Sequence, residues 1–99
     1  MFIHTVLFHL KMNLSKKEIS EFEEGLESLK AIDSNQAIYI LTPAETKHRN
    51  AVRDDYSYNL TIHFKNIDGH NAYQIDPLHK AFVEKFSAFW QRIEIIDSD

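Results

Sequence analysis

The chain has 99 residues, 43% hydrophobic and 26% charged, with 15 acidic against 11 basic side chains and a net charge of -4. A soluble globular domain of this size buries roughly two-thirds of the surface that its unfolded chain exposes, so one domain is expected with little core to spare. No apolar run approaches the roughly 20 residues of a membrane span, no basic stripe points to nucleic acid, and with no cysteine there is no disulfide, thiolate zinc site or cysteine nucleophile. The opening MFIHTVLFHLK lacks a basic leader and a small-residue cleavage site, so the cytoplasm is the expected compartment. KHRNAVR at 47–53, the densest basic stretch, is answered at once by Asp54 and Asp55 and reads as a solvated loop.

FIHTVLFHLK alternates. Phe2, His4, Val6, Phe8 and Leu10 share a largely apolar face, while Ile3, Thr5, Leu7, His9 and Lys11 share one that is half apolar. This predicts a strand covered on one side and partly covered on the other. Ser15 and Glu18 then form a capping box, in which each side chain satisfies an unpaired backbone donor of the first helical turn. Ile19, Phe22, Leu26, Leu29 and Ile32 recur at helical spacing, with Gly25 inside the helix at a cost of about 1 kcal/mol relative to alanine. Gly25 either permits close packing on the sheet or carries no role.

Asp33-Ser34-Asn35 ends the helix, QAIYILT at 36–42 reads as a second strand, and Pro43 stops it. A polar connection without periodicity covers 44–54, and YSYNLTIHFK at 56–65 alternates as a third strand with Tyr56, Tyr58, Leu60, Ile62 and Phe64 on one face. A short helix carries Ala72 and Tyr73. Asp76 reads as the N-cap of the next helix and Pro77 as its first residue, where a missing N–H costs nothing. Leu78, Phe82, Phe86 and Phe89 continue an apolar stripe, and RIEIID at 92–97 is the fourth strand.

The resulting order, β-α-β-β-α(α)-β, predicts an α+β, ferredoxin-like fold: a four-stranded antiparallel sheet with helices on one face. The other face, with Ile3 and Leu7, is left uncovered. A second copy stacking sheet to sheet would cover it, so a homodimer is expected, with His9 and His63 on its partner-facing sides and available to hydrogen-bond across the interface.

IHTVLFHLK, LSKKEISEFEEGLESLK and, above all, AYQIDPLHKAFVE followed by FWQRIEIID resemble the Dabb family, the stress-responsive dimeric α/β-barrel domain, over essentially the whole chain. The resemblance implies a ferredoxin-like fold, a homodimer, and a cavity between each sheet and its helices. The family is functionally mixed. One member, olivetolic acid cyclase, closes a linear polyketide with a tyrosine on the short helix and a histidine after the proline, which Tyr73 and His79 match. His4 matches a first-strand histidine lining that pocket. Tyr58 stands where the enzyme has a third-strand pocket histidine, and Asp76 where the family commonly has a histidine before its proline; both are departures.

His79, near the start of its helix, lies where the dipole disfavours imidazolium and favours the neutral ring. A neutral imidazole can take a proton from a carbon between carbonyls, and a tyrosine hydroxyl can hydrogen-bond the developing enolate. The plainer alternative has His79 bonding a backbone carbonyl or Asp76 to hold the helix junction, and Tyr73 packing on the sheet with its hydroxyl in solvent. His4, Tyr58 and Phe82 are read as ligand-lining residues, with core packing as the alternative. Six histidines invite a metal, but no HExxH or i,i+4 pair is present, so neither metal nor cofactor is expected. Two readings stand: a stress-responsive binding domain with a pocket for a small apolar or aromatic molecule, or a cofactor-free cyclase-, isomerase- or oxygenase-like enzyme with His79 as base and Tyr73 beside it.

Overall fold

The alternation of FIHTVLFHL folds as β1 (Phe2–Leu10) in the computed structural model, which describes residues 1–99. After the capping box comes α1 (Lys16–Ser28), with the Glu18 N–H donating to Ser15 Oγ at 3.1 Å and the Ser15 N–H donating to Glu18 Oε1 at 2.9 Å. A 3-10 turn over Leu29–Ala31 tightens its end. Then follow β2 (Asn35–Leu41), β3 (Tyr58–Phe64), α2 (Ile67–Ile75), α3 (Pro77–Phe86), a second 3-10 turn at Ser87–Phe89, and β4 (Trp90–Ser98). The sheet order is β2-β3-β1-β4 with every neighbouring pair antiparallel, the expected ferredoxin-like topology. No helix is long and apolar enough to cross a membrane.

Strand register sorts the side chains. His4 faces Ile62 and Val6 faces Leu60 across the β1–β3 ladder, and Ile38 and Ile40 of β2 continue the same face. Phe22, Leu26 and Leu29 of the first helix and its turn, together with Ile62 and Phe64, are fully buried there. Each such side chain contributes about 1.5–3 kcal/mol relative to exposure. Gly25 has a role after all: the Phe86 ring of α3 sits where a Cβ would lie, so the glycine permits helix-on-helix contact rather than contact with the sheet.

The opposite face carries no helix. Tyr39 and Leu41 are each 48% exposed and Ile96 is 54% exposed, while Thr5 and Thr61 face each other in register. Leu7 and His9, in contrast, are already buried within the single chain. His9 Nε2 meets the Glu94 carboxylate of its own β4 at 2.5 Å, which occupies it before any partner arrives. The connection between β2 and β3 also reaches this face, because its Arg53 donates to both Asp55 and Glu94.

Most strand limits lie within one residue of expectation, and the two that move by two residues have a local cause. β3 begins at Tyr58 rather than Tyr56, because Ser57 ties down the end of β1 instead: its N–H donates to the Phe8 carbonyl at 2.7 Å and its Oγ accepts from the Leu10 N–H at 2.9 Å. β4 begins at Trp90 rather than Arg92, since a register shift at His9/Leu10 lets Leu10 pair with Trp90.

Candidate functional site

A single residue separates α2 from α3. The Asp76 backbone is extended, its N–H donates to the Tyr73 carbonyl at 3.1 Å, and its side chain accepts the Leu78 N–H at 2.8 Å. One aspartate thus closes one helix and caps the next, and the resulting bend brings Tyr73 and His79 to within 4.7 Å between ring centroids.

His79 Nδ1 lies 3.1 Å from the Gln74 backbone carbonyl. A carbonyl only accepts, so Nδ1 carries the proton and Nε2 presents a lone pair. No group of the chain hydrogen-bonds that Nε2. The two alternatives for His79 are therefore compatible: one nitrogen holds the junction while the other remains free. Burial lowers its pKa below the usual histidine value; the Gln74 bond opposes this, and the neighbouring His4 and His70 reinforce it. The ring is thus held neutral at physiological pH.

Tyr73 is 1% exposed, and its hydroxyl has no hydrogen-bond partner in the chain. Burial raises its pKa well above the ordinary tyrosine value, so it remains an O–H donor. His4 is 2% exposed, with its ring centroid 6.2 Å from that of Tyr73. Register places Asp97 opposite His4 on the β1–β4 ladder, and His4 Nδ1 donates to the Asp97 carboxylate at 2.5 Å. Burial nevertheless outweighs this partner and lowers the His4 pKa.

These three residues line one cavity of about 310 Å³ between the sheet and the second and third helices. His4, Tyr73, Gln74 and His79 make its polar end, and Val6, Phe8, Leu60, Phe82, Trp90, Ile93 and Ile95 make its apolar wall. Val83, Ile93 and Ile95 are 39%, 39% and 52% exposed, so the cavity opens between α3 and the β4 edge, where no helix covers the strand. The volume lies at the small end of the range for ligand pockets, about 300–1,000 Å³.

Phe82 both lines this space and packs in the core, stacked against Trp90 with centroids 6.2 Å apart. Tyr58 is a correction: it faces the helices, but its hydroxyl donates to Glu23 of α1 at 2.9 Å and it lies outside the cavity lining. Burial, then the Glu23 contact, push its pKa up to about 12. Gln74, Ile93, Ile95 and Asp97 are not singled out by the sequence. The alternation Ile93-Ile95-Asp97 holds a signal for Asp97, but only the β1–β4 register identifies its partner.

The arrangement can hold a small molecule with its apolar part against the aromatic wall and an oxygen at the histidine end. It can also receive a proton at His79 Nε2 while the Tyr73 hydroxyl stabilises an oxyanion.

The same fold recurs in solved structures. A Dabb family protein with a ferredoxin-like fold from Mesorhizobium loti superposes with a TM-score of 0.79 at 23% identity, covering 99% of this chain and 94% of that one. A dimeric ferredoxin-like protein of unknown function from Thermobifida fusca gives a TM-score of 0.79 at 17% identity, covering 98% and 88%. A hydroxynitrile lyase from Passiflora edulis gives 0.78 at 18% identity, covering 98% and 90%. No curated protein matches the sequence. The sequence profile of the stress responsive A/B barrel domain, Dabb, matches residues 2–99, and with the fold in agreement the chain belongs to the Dabb family.

Proposed function

We propose that this chain is a homodimeric Dabb domain whose cavity binds a small apolar or aromatic molecule bearing a carbonyl or hydroxyl oxygen. The observation that carries the reading is the cavity itself: one connected space of about 310 Å³ touches His4, Tyr73 and His79 together and is otherwise walled by apolar side chains. An apolar body buried there contributes roughly 25 cal/mol per Å² removed from water, and the polar end sets its orientation. The dimer reading draws on the helix-free sheet face with exposed Tyr39, Leu41 and Ile96, and on the dimeric description of the Thermobifida fusca protein.

A second reading, cofactor-free catalysis on an activated carbonyl compound, is favoured by one specific observation. His79 Nδ1 is engaged by Gln74 while Nε2 is free beside an unpaired Tyr73 hydroxyl. In this reading His79 is the base, Tyr73 steadies the developing oxyanion, and His4 orients the substrate, as the resemblance to olivetolic acid cyclase implies. The hydroxynitrile lyase among the structural neighbours is consistent with carbonyl chemistry on this fold.

The test is a ligand-observed NMR screen of aromatic carbonyl, polyketide and quinone-like compounds against wild type and Val83→Trp, which blocks the cavity mouth from a half-exposed position. Binding by wild type and none by folded Val83→Trp supports the pocket; equal binding by both sinks it. Turnover of a bound compound that is lost in His79→Ala and Tyr73→Phe separates the enzyme from the binding domain.

A further inference from the structure

His4 of β1, His70 of α2 and Asp97 of β4 are far apart in sequence, yet one donor atom from each lies within 4.8 Å of the other two. The two imidazole rings are 4.8 Å apart between centroids at 56°, and His4 Nδ1 touches the Asp97 carboxylate. His70 is only loosely engaged: Nδ1 is 3.2 Å from the Asn71 side-chain oxygen and Nε2 is 3.4 Å from the Gln74 amide nitrogen, both long contacts. We propose that His4, His70 and Asp97 form a binding site for a divalent transition-metal ion.

The donor set selects the class of ion. Two imidazoles and one carboxylate suit zinc, cobalt or nickel, whereas magnesium and calcium prefer oxygen ligands. Zinc holds nitrogen and oxygen donors at about 2.0–2.2 Å, which separates tetrahedral donors by about 3.3–3.6 Å. Closing the present spacing takes movement on the order of 1 Å. The Asp97 side chain, 40% exposed, can supply it by rotating about its own bonds. As the carboxylate swings from the His4 N–H to the ion, solvent reaches the same corner and completes the coordination.

The other histidine–carboxylate contacts in the chain lack this character. His9–Glu94 has one imidazole and two arginines on the same carboxylate, which repel a cation, and His48–Asp54 is a single exposed pair at 3.5 Å. Only at His4, His70 and Asp97 do two imidazoles and a carboxylate meet.

Isothermal titration of zinc chloride into the full chain, free of any histidine tag and stripped of metal with EDTA, tests the proposal. Wild type is expected to bind one equivalent and to melt higher with zinc present. His70→Ala and Asp97→Asn are expected to weaken binding at least tenfold, and His48→Ala to leave it unchanged. Both ligand positions are at least partly solvent-exposed, and metal-free melting curves confirm that the variants fold. Independently of any variant, cobalt(II) added to wild type should show the visible absorption of a four- or five-coordinate ion. No saturable zinc binding by wild type, zinc binding by folded His70→Ala equal to wild type, or an unchanged aqueous cobalt spectrum would each overturn the proposal.

Discussion

Tyr73 and His79 sit on different helices with their rings 4.7 Å apart, because Asp76 terminates one helix and caps the other. A continuous helix cannot produce this pairing, since side chains six positions apart are turned about 120° from each other and set about 9 Å apart along the axis. The bend delivers an unpaired hydroxyl and a free imidazole nitrogen to the same cavity.

The unpaired hydroxyl has a consequence for stability. Tyr73→Phe removes a hydroxyl that makes no internal hydrogen bond and opens onto the cavity, so urea denaturation should show no loss, or a gain of up to about 1 kcal/mol. A loss well beyond that amount means that the hydroxyl has a structural partner and is not held for a ligand.

Gly25→Ala is expected to destabilise the fold despite alanine's better helix propensity of about 1 kcal/mol. The added methyl overlaps the Phe86 ring, which is hemmed in by Phe22, Phe82 and Phe89. Overpacking of this kind costs about 1–3 kcal/mol. A lower urea midpoint confirms the clash, and a raised one shows that Phe86 moves aside freely.

Stability should fall with acid through the charges on the outer sheet face. Glu94 has its pKa lowered, first by the His9 hydrogen bond and then by Arg53, and Asp55 has its pKa lowered first by Arg53. Folded-state values below the unfolded ones mean that the unfolded chain takes up more protons as pH drops. The contribution is therefore fully present above about pH 4.5, the unfolded carboxylate range, and is lost as pH falls through the folded values. Urea midpoints measured from pH 6 down to pH 3 should decline, and Glu94→Gln should flatten the decline; an unchanged slope in that variant rules the network out.

The helix-free face should bury itself against a second copy. Light scattering at micromolar concentration is expected to give the mass of two chains for wild type. Tyr39→Asp combined with Ile96→Asp places two charges on that face and is expected to give the mass of one. A wild-type mass of one chain refutes the dimer, and a double variant that stays dimeric moves the interface elsewhere.

Much of this architecture was legible in single residues. Ser15 and Glu18 announced the start of α1, the alternation of β1 sorted His4 from His9, and Asp76-Pro77 marked the bend, because each depends on the backbone within one turn or one pleat. The family, too, could be recognised from segments in order, and the profile match covers residues 2–99. Tyr58 shows where local reasoning stops: its face was correct, but the direction of its hydroxyl depended on Glu23, which lies on a different element.

The sequence by itself determined the elements, their order and which side of each faced inward, since these follow from periodicities of two and of 3.6 residues. Only the tertiary structure decided that His4 meets Asp97, that His79 spends one nitrogen on Gln74 and keeps the other free, and that His70 joins the first pair. Those meetings depend on strand register and helix placement, which are set by packing across the whole chain rather than by neighbouring residues.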